Sequence, residues 1–153
     1  MNKIVNFYSL NDTDHQGRLL KDMWTWDNYA FERTHDYIQW MFPTIQPSEY
    51  NLDAPLVDED TIKAFRGSSE LQSYLTTSSF IFERFLDLDN PKAHWLTHKN
   101  HNFLRISRII DSLMTLSCKP RAHQFAARVE KAYLKSDICP VSYWNNIIMS
   151  HRF

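Results

Sequence analysis

The run Thr34-His35-Asp36-Tyr37-Ile38-Gln39-Trp40-Met41-Phe42-Pro43 constrains this chain more than any other stretch. Its spacing predicts a helix from about Asn28 to Phe42, with each residue turning about 100° around the axis. Tyr29, Phe31, Tyr37, Ile38, Trp40, Met41 and Phe42 then cover most of the circumference. A helix apolar nearly all round belongs in a protein interior. Glu32, His35, Asp36 and Gln39 share one narrow stripe. Polar groups buried there need partners, because burying them alone is costly. The stripe therefore faces either a polar network or a binding site. Asp27 or Asn28 can cap the start of this helix, and Pro43 ends it by pushing its predecessor out of the helical region.

The rest of the chain reads as helices separated by short breaks. The first 14 residues or so look irregular, with a turn-forming cluster at Asn11-Asp12-Thr13-Asp14. Arg18 to Trp24 forms a short amphipathic helix. Thr44 to Val57 is marked by Pro47 and Pro55 and has no helical period; loops of that length in a small domain are often functional. A short helix follows, with the acids Asp58, Glu59 and Asp60 at its start, where the helix dipole favours them. Longer helices are expected over about Glu70–Leu86, Thr97–Leu116 and from Pro120 to Lys135. A last short helix after Pro140 carries Tyr143, Trp144, Ile147 and Ile148. No segment alternates with period two for long enough to be a strand. The expected architecture is all-α, a single compact bundle of about six helices, with residues 1–153 as one domain.

Composition narrows the function. The length of 153 residues suffices for one domain with a substantial core. Aromatics at 14% indicate a packed globule rather than a disordered chain. The formal charge of −1 and the lack of aromatic–basic interleaving argue against nucleic acid as a partner. Only Gly17 and Gly67 are present, so no glycine-rich phosphate loop exists. Cys118 and Cys139 read as free thiols in a reducing compartment. With no secretory leader and no transmembrane run, a cytoplasmic location is expected.

Candidate site residues come from two stripes. The first is His35, Asp36 and Gln39 with Glu32. The second is His98, His101, Arg105 and Arg108, spaced three, four and three apart and so on one helical face. The two helices are expected to face each other across a polar pocket, with Asn51 and Asn100 contributed by loops. The bland alternatives are a solvated helix face for the second stripe and a simply bonded buried histidine for His35. A metal reading would use His35, Asp36, His98 and His101. It would resemble the all-α His-Asp phosphohydrolases, but the further histidine (His15) and the aspartate (Asp87, Asp89 or Asp111) are poorly placed, so no metal and no cofactor is expected. An anion suits the same residues better. Arg105 and Arg108 offer forked donors for phosphate or carboxylate, and His98 and His101 add donors when protonated. As an enzyme, the site would use His35 oriented by a carboxylate as general base, yet no nucleophile stands out.

The nine residues His35 to Pro43 resemble the signature of the opioid growth factor receptor conserved region. So do Asp22-Met23-Trp24 through Trp26-Asp27. Asn51 to Pro55, Asp60 to Phe65 and His101 to Ile109 resemble the same family in the same order, and the resemblance spans roughly residues 15–150. It implies a short stand-alone member of a family whose animal namesake is a peptide receptor associated with membrane and nucleus. It implies no reaction and supplies no catalytic residues. The expected function is a binding or signalling module taking a peptide or an anionic small molecule. The alternative is a hydrolase or transferase acting on an anionic small molecule in the same pocket.

Overall fold

The computed structural model describes residues 2–48, 51–97 and 100–136. Eight helices are found among them: α1 (Lys3–Tyr8), α2 (Leu20–Met23), α3 (Asn28–Arg33), α4 (Ile38–Met41), α5 (Glu59–Arg66), α6 (Ser69–Leu86), α7 (Asn102–Leu116) and α8 (Lys119–Lys135). There is no strand among the described residues, so the all-α expectation holds. The expected helix after Pro140, and Cys139, lie outside the described residues.

The long helices follow the apolar spacing closely. α6 starts where the Ser68 hydroxyl accepts from the Leu71 amide, and it ends at Asp87 in a left-handed conformation. Phe82, Phe85, Ile106, Ile109, Ile110, Leu113, Phe125 and Val129 on α6, α7 and α8 are almost wholly removed from solvent. Each such side chain contributes about 1.5–3 kcal/mol by leaving water. α5 opens with a reciprocal cap in which Asp58 and Thr61 satisfy each other's amides.

Three departures from the sequence reading have physical causes. First, the amino-terminal stretch is not irregular: α1 forms there, its first amides accepted by the Asn2 side chain. Ile4, Phe7 and Tyr8, at helical spacing, are buried, and Asn2 also reaches Thr61 Oγ1 at the start of α5. Second, α7 begins at Asn102 rather than Thr97, because the Asn100 side chain accepts from the Asn102 amide at 2.9 Å. Third, the predicted helix over 28–42 is broken in two, with residues 34–37 as a link between α3 and α4. A broken helix exposes carbonyls that need donors. Here distant side chains supply them. Arg105 donates to Phe31 O at 2.9 Å, Glu32 O at 3.3 Å and Thr34 O at 2.8 Å. Tyr37 Oη donates to Phe31 O at 3.1 Å. Beyond α4, Tyr8 Oη donates to Met41 O and Arg108 to Phe42 O at 3.2 Å.

Candidate functional site

The break redistributes the polar stripe. Asp36 turns towards His15 (3.1 Å) and Arg18 (3.0 Å). Burial alone would raise the Asp36 pKa, but its bond to Arg18 and the charges of Arg18 and His15 outweigh that and lower it. Glu32 turns towards His101 Nε2 at 2.6 Å and accepts from Asn102 Nδ2 at 3.1 Å. His94 Nδ1 lies 3.7 Å from the same carboxylate. His35 and Gln39 remain on a third side.

There, between α4, the 47–48 segment and α7, lies a cavity of about 620 Å³. It is lined by His35, Ile38, Gln39, Pro47, Ser48, His101, Leu104, Arg105 and Arg108. The size falls in the usual range for small-molecule sites, and the mix of apolar walls with a few polar groups is typical of them. Of the residues singled out in sequence, His35, Gln39, His101, Arg105 and Arg108 meet here. Asp36 does not, since it faces Arg18. Asn51 is not among the lining residues; its amide donates to Ser48 Oγ at 3.1 Å. Asn100 is held locally by Asn102, Thr97 and the His94 carbonyl. His98 lies outside the described residues. Ile38, Pro47, Ser48 and Leu104 are not among the residues the sequence singles out, although Ile38 and Leu104 each sit next to a polar member of a stripe, Gln39 and Arg105.

The second stripe is solvated in part: His101 is exposed, Arg108 half-buried and Arg105 buried. Arg105 is only 6% exposed. Its guanidinium is committed to three carbonyls, to Asn102 Oδ1 at 3.2 Å and to the face of Tyr37 at 5.5 Å. Nη2 also approaches His35 Nδ1 at 3.4 Å. Arginine only donates, so Nδ1 of His35 is the acceptor and its proton is assigned to Nε2. The same cation and the burial around Tyr37 act in opposite senses on that phenol, and burial wins, raising its pKa.

Arg108 is different. Its one hydrogen bond among the described residues is to Phe42 O. It makes no ion pair among them; burial lowers its pKa, and the charge of Asp111 only partly opposes this. Gln39 is 4% exposed, and its Oε1 is buried with no hydrogen-bond partner among the described residues. A half-buried cation with no ion pair and a buried acceptor without a donor among the described residues thus line one cavity. No group of three or more His, Cys, Asp or Glu side chains is arranged to hold a metal ion among the described residues. No helix among them is long and apolar enough to cross a membrane.

The structure therefore defines an all-α helical domain with a part-polar cleft between two of its helical segments. Its sequence matches the opioid growth factor receptor conserved region over residues 5–145. The chain belongs to that family. It is 31% identical to the opioid growth factor receptors of Mus musculus and Rattus norvegicus, with 63% of this chain aligned in each case. The alignment covers 18% of the mouse protein and 20% of the rat protein, so the chain spans about a fifth of the length of these curated relatives. No solved structure matches it.

Proposed function

We propose that the domain is a ligand-binding module that takes an anionic group, from a small molecule or a peptide, in the cavity between α4 and α7. The observation that carries this reading is Arg108: a half-buried guanidinium lining a cavity, with no ion pair among the described residues. Buried charges are normally paired, and an incoming carboxylate or phosphate would pair this one. Gln39 Oε1 asks for a donor on the same ligand. Ile38, Pro47 and Leu104 offer apolar contact to its body. The receptor names of the relatives are consistent with capture of a ligand.

Binding is favoured over general-base chemistry by the state of His35. Its Nδ1 faces the Arg105 guanidinium, and the neighbouring carboxylate, Asp36, is engaged by His15 and Arg18. An imidazole whose Nδ1 accepts from arginine is left with its Nε2–H as a donor, the role a bound ligand can use.

The test is a thermal-shift screen against carboxylates, phosphates and short acidic peptides, run on the wild type, Arg108→Met and Gln39→Leu. A compound that raises the melting temperature of the wild type by mass action, and of neither variant, supports the proposal. Hits that persist in both variants overturn it.

A further inference from the structure

A second cavity, of about 780 Å³, lies just past the carboxyl end of α7, between the end of α5, one face of α6 and the start of α8. Its walls are rich in hydroxyl side chains, where the first cavity has Ser48 alone. Arg66, Ser73, Thr76, Ser117 and Lys119 are among its lining residues, and none of the lining residues is acidic. Its floor is fixed: Gln72 Nε2 donates to Phe65 O at 2.8 Å and to Leu116 O at 2.7 Å, tying α6 to the ends of α5 and α7. Arg66 is held over the opening by one bond, Nη2 to Thr115 O at 3.1 Å.

Two independent features point to a ligand. The amino end of the 17-residue α8 opens here, and its cap residue, Cys118, contributes no side-chain hydrogen bond. That end carries partial positive charge. Separately, Ser117 is 5% exposed, and its Oγ is buried with no hydrogen-bond partner among the described residues. A buried hydroxyl without a partner costs stability that an alanine would not, so the hydroxyl stands where something else is meant to meet it.

We propose that this groove binds a phosphomonoester of a hydroxylated small molecule, a sugar phosphate in class. The phosphate lies between Arg66 and the start of α8, accepting from the Ser117 hydroxyl. The hydroxylated body lies along the Ser73 and Thr76 side of α6. The site is independent of the α4–α7 cavity.

The experiment uses the full chain with glucose 6-phosphate, inorganic phosphate and glucose as probes, read by calorimetric titration and thermal shift. Ser117→Ala, Arg66→Met and Arg108→Met are run beside the wild type. Glucose 6-phosphate is expected to raise the melting temperature of the wild type and of Arg108→Met. Arg66→Met is expected to bind it roughly tenfold to a hundredfold more weakly, the usual effect of removing a charged hydrogen bond. Ser117→Ala is expected to melt no lower than the wild type without ligand, yet to bind glucose 6-phosphate more weakly. No rise with glucose 6-phosphate overturns the proposal, as does a rise unchanged in both groove variants. Equal binding of inorganic phosphate overturns the hydroxylated part of the ligand. A Ser117→Ala protein that melts lower without ligand assigns the hydroxyl to packing and overturns its role here.

Discussion

Arg121, buried, and Arg108, half-buried, differ in their counter-charge. Arg121 on α8 is 6% exposed and meets Glu83 of α6, itself 5% exposed, at 2.6 Å. Its Nε donates to Ser79 Oγ, its Nη1 to Gln124 Oε1, and it covers the ring of Phe80. Arg128 adds a second cation to the same carboxylate at 3.2 Å. Glu83 Oε1 has that ion pair but no hydrogen bond among the described residues, and the Glu83–Arg121 pair joins α6 to α8. Arg108 has a carbonyl and no acid within ion-pair distance among the described residues. A buried cation that has its acid holds a fold together; a half-buried one beside a cavity with no acid in ion-pair reach is a candidate receptor for an acid from outside. Arg105 stands between the two cases. It has no acid either, but its donors are taken up by the carbonyls of a broken helix.

This comparison can be broken at several points. Glu83→Ala leaves Arg121 buried and unpaired. It should cost the most, about 3–5 kcal/mol in chemical denaturation. A loss below about 1 kcal/mol would erase the contrast, because surface pairs have that magnitude. Arg105→Leu strands the carbonyls at the end of α3. A loss of about 2–3 kcal/mol is expected from denaturant melts, since unsatisfied buried acceptors cost about 1–3 kcal/mol each. Arg108→Met should cost only about 1 kcal/mol, one carbonyl contact, while abolishing capture of the anionic ligand. Gln39→Leu removes a buried acceptor that has no partner, so its stability should match or exceed that of the wild type.

The smallest effect concerns Asp36. Its folded pKa lies below the ordinary 3.8, so its pairing with Arg18 and His15 stabilises the fold fully above that value. The contribution is lost as pH falls through the lower, folded value. Asp36→Asn should therefore narrow the stability gap between neutral and strongly acid pH. A pH profile identical to that of the wild type would remove this pair from the account.

The long helices were legible because their signals are local. Ser68, the spacing of Leu71, Leu75, Phe82 and Phe85, and the apolar repeat from Phe103 to Leu113 depend on near neighbours alone. The same holds for α1 in hindsight: Asn2 as a cap and Ile4, Phe7 and Tyr8 at helical spacing were present to be read. The break at residues 34–37 was not legible. Its carbonyls are satisfied by Arg105, some 70 residues later, and single-residue propensities carry no trace of that. The cavity was partly legible, because His35 with Gln39 and His101 with Arg105 and Arg108 each share a helical face. What each side chain does there was not. Arg105 looked like an anion fork and serves as a cap for α3, while Asp36 looked like part of the site and pairs with Arg18. The Glu83–Arg121 pair, 38 residues apart, gave no sequence signal at all.

Arg108 has no ion pair among the described residues and is proposed to take its acid from a ligand. The most direct measurement follows the side-chain nitrogen resonances of the arginines by NMR during titration with acetate, succinate and inorganic phosphate. The account predicts saturable shifts of the Arg108 guanidinium with at least one of these anions, no comparable shift of Arg121, and loss of the response in Arg108→Met. Unchanged Arg108 resonances across all three titrations, or shifts of Arg108 and Arg121 alike, would contradict it.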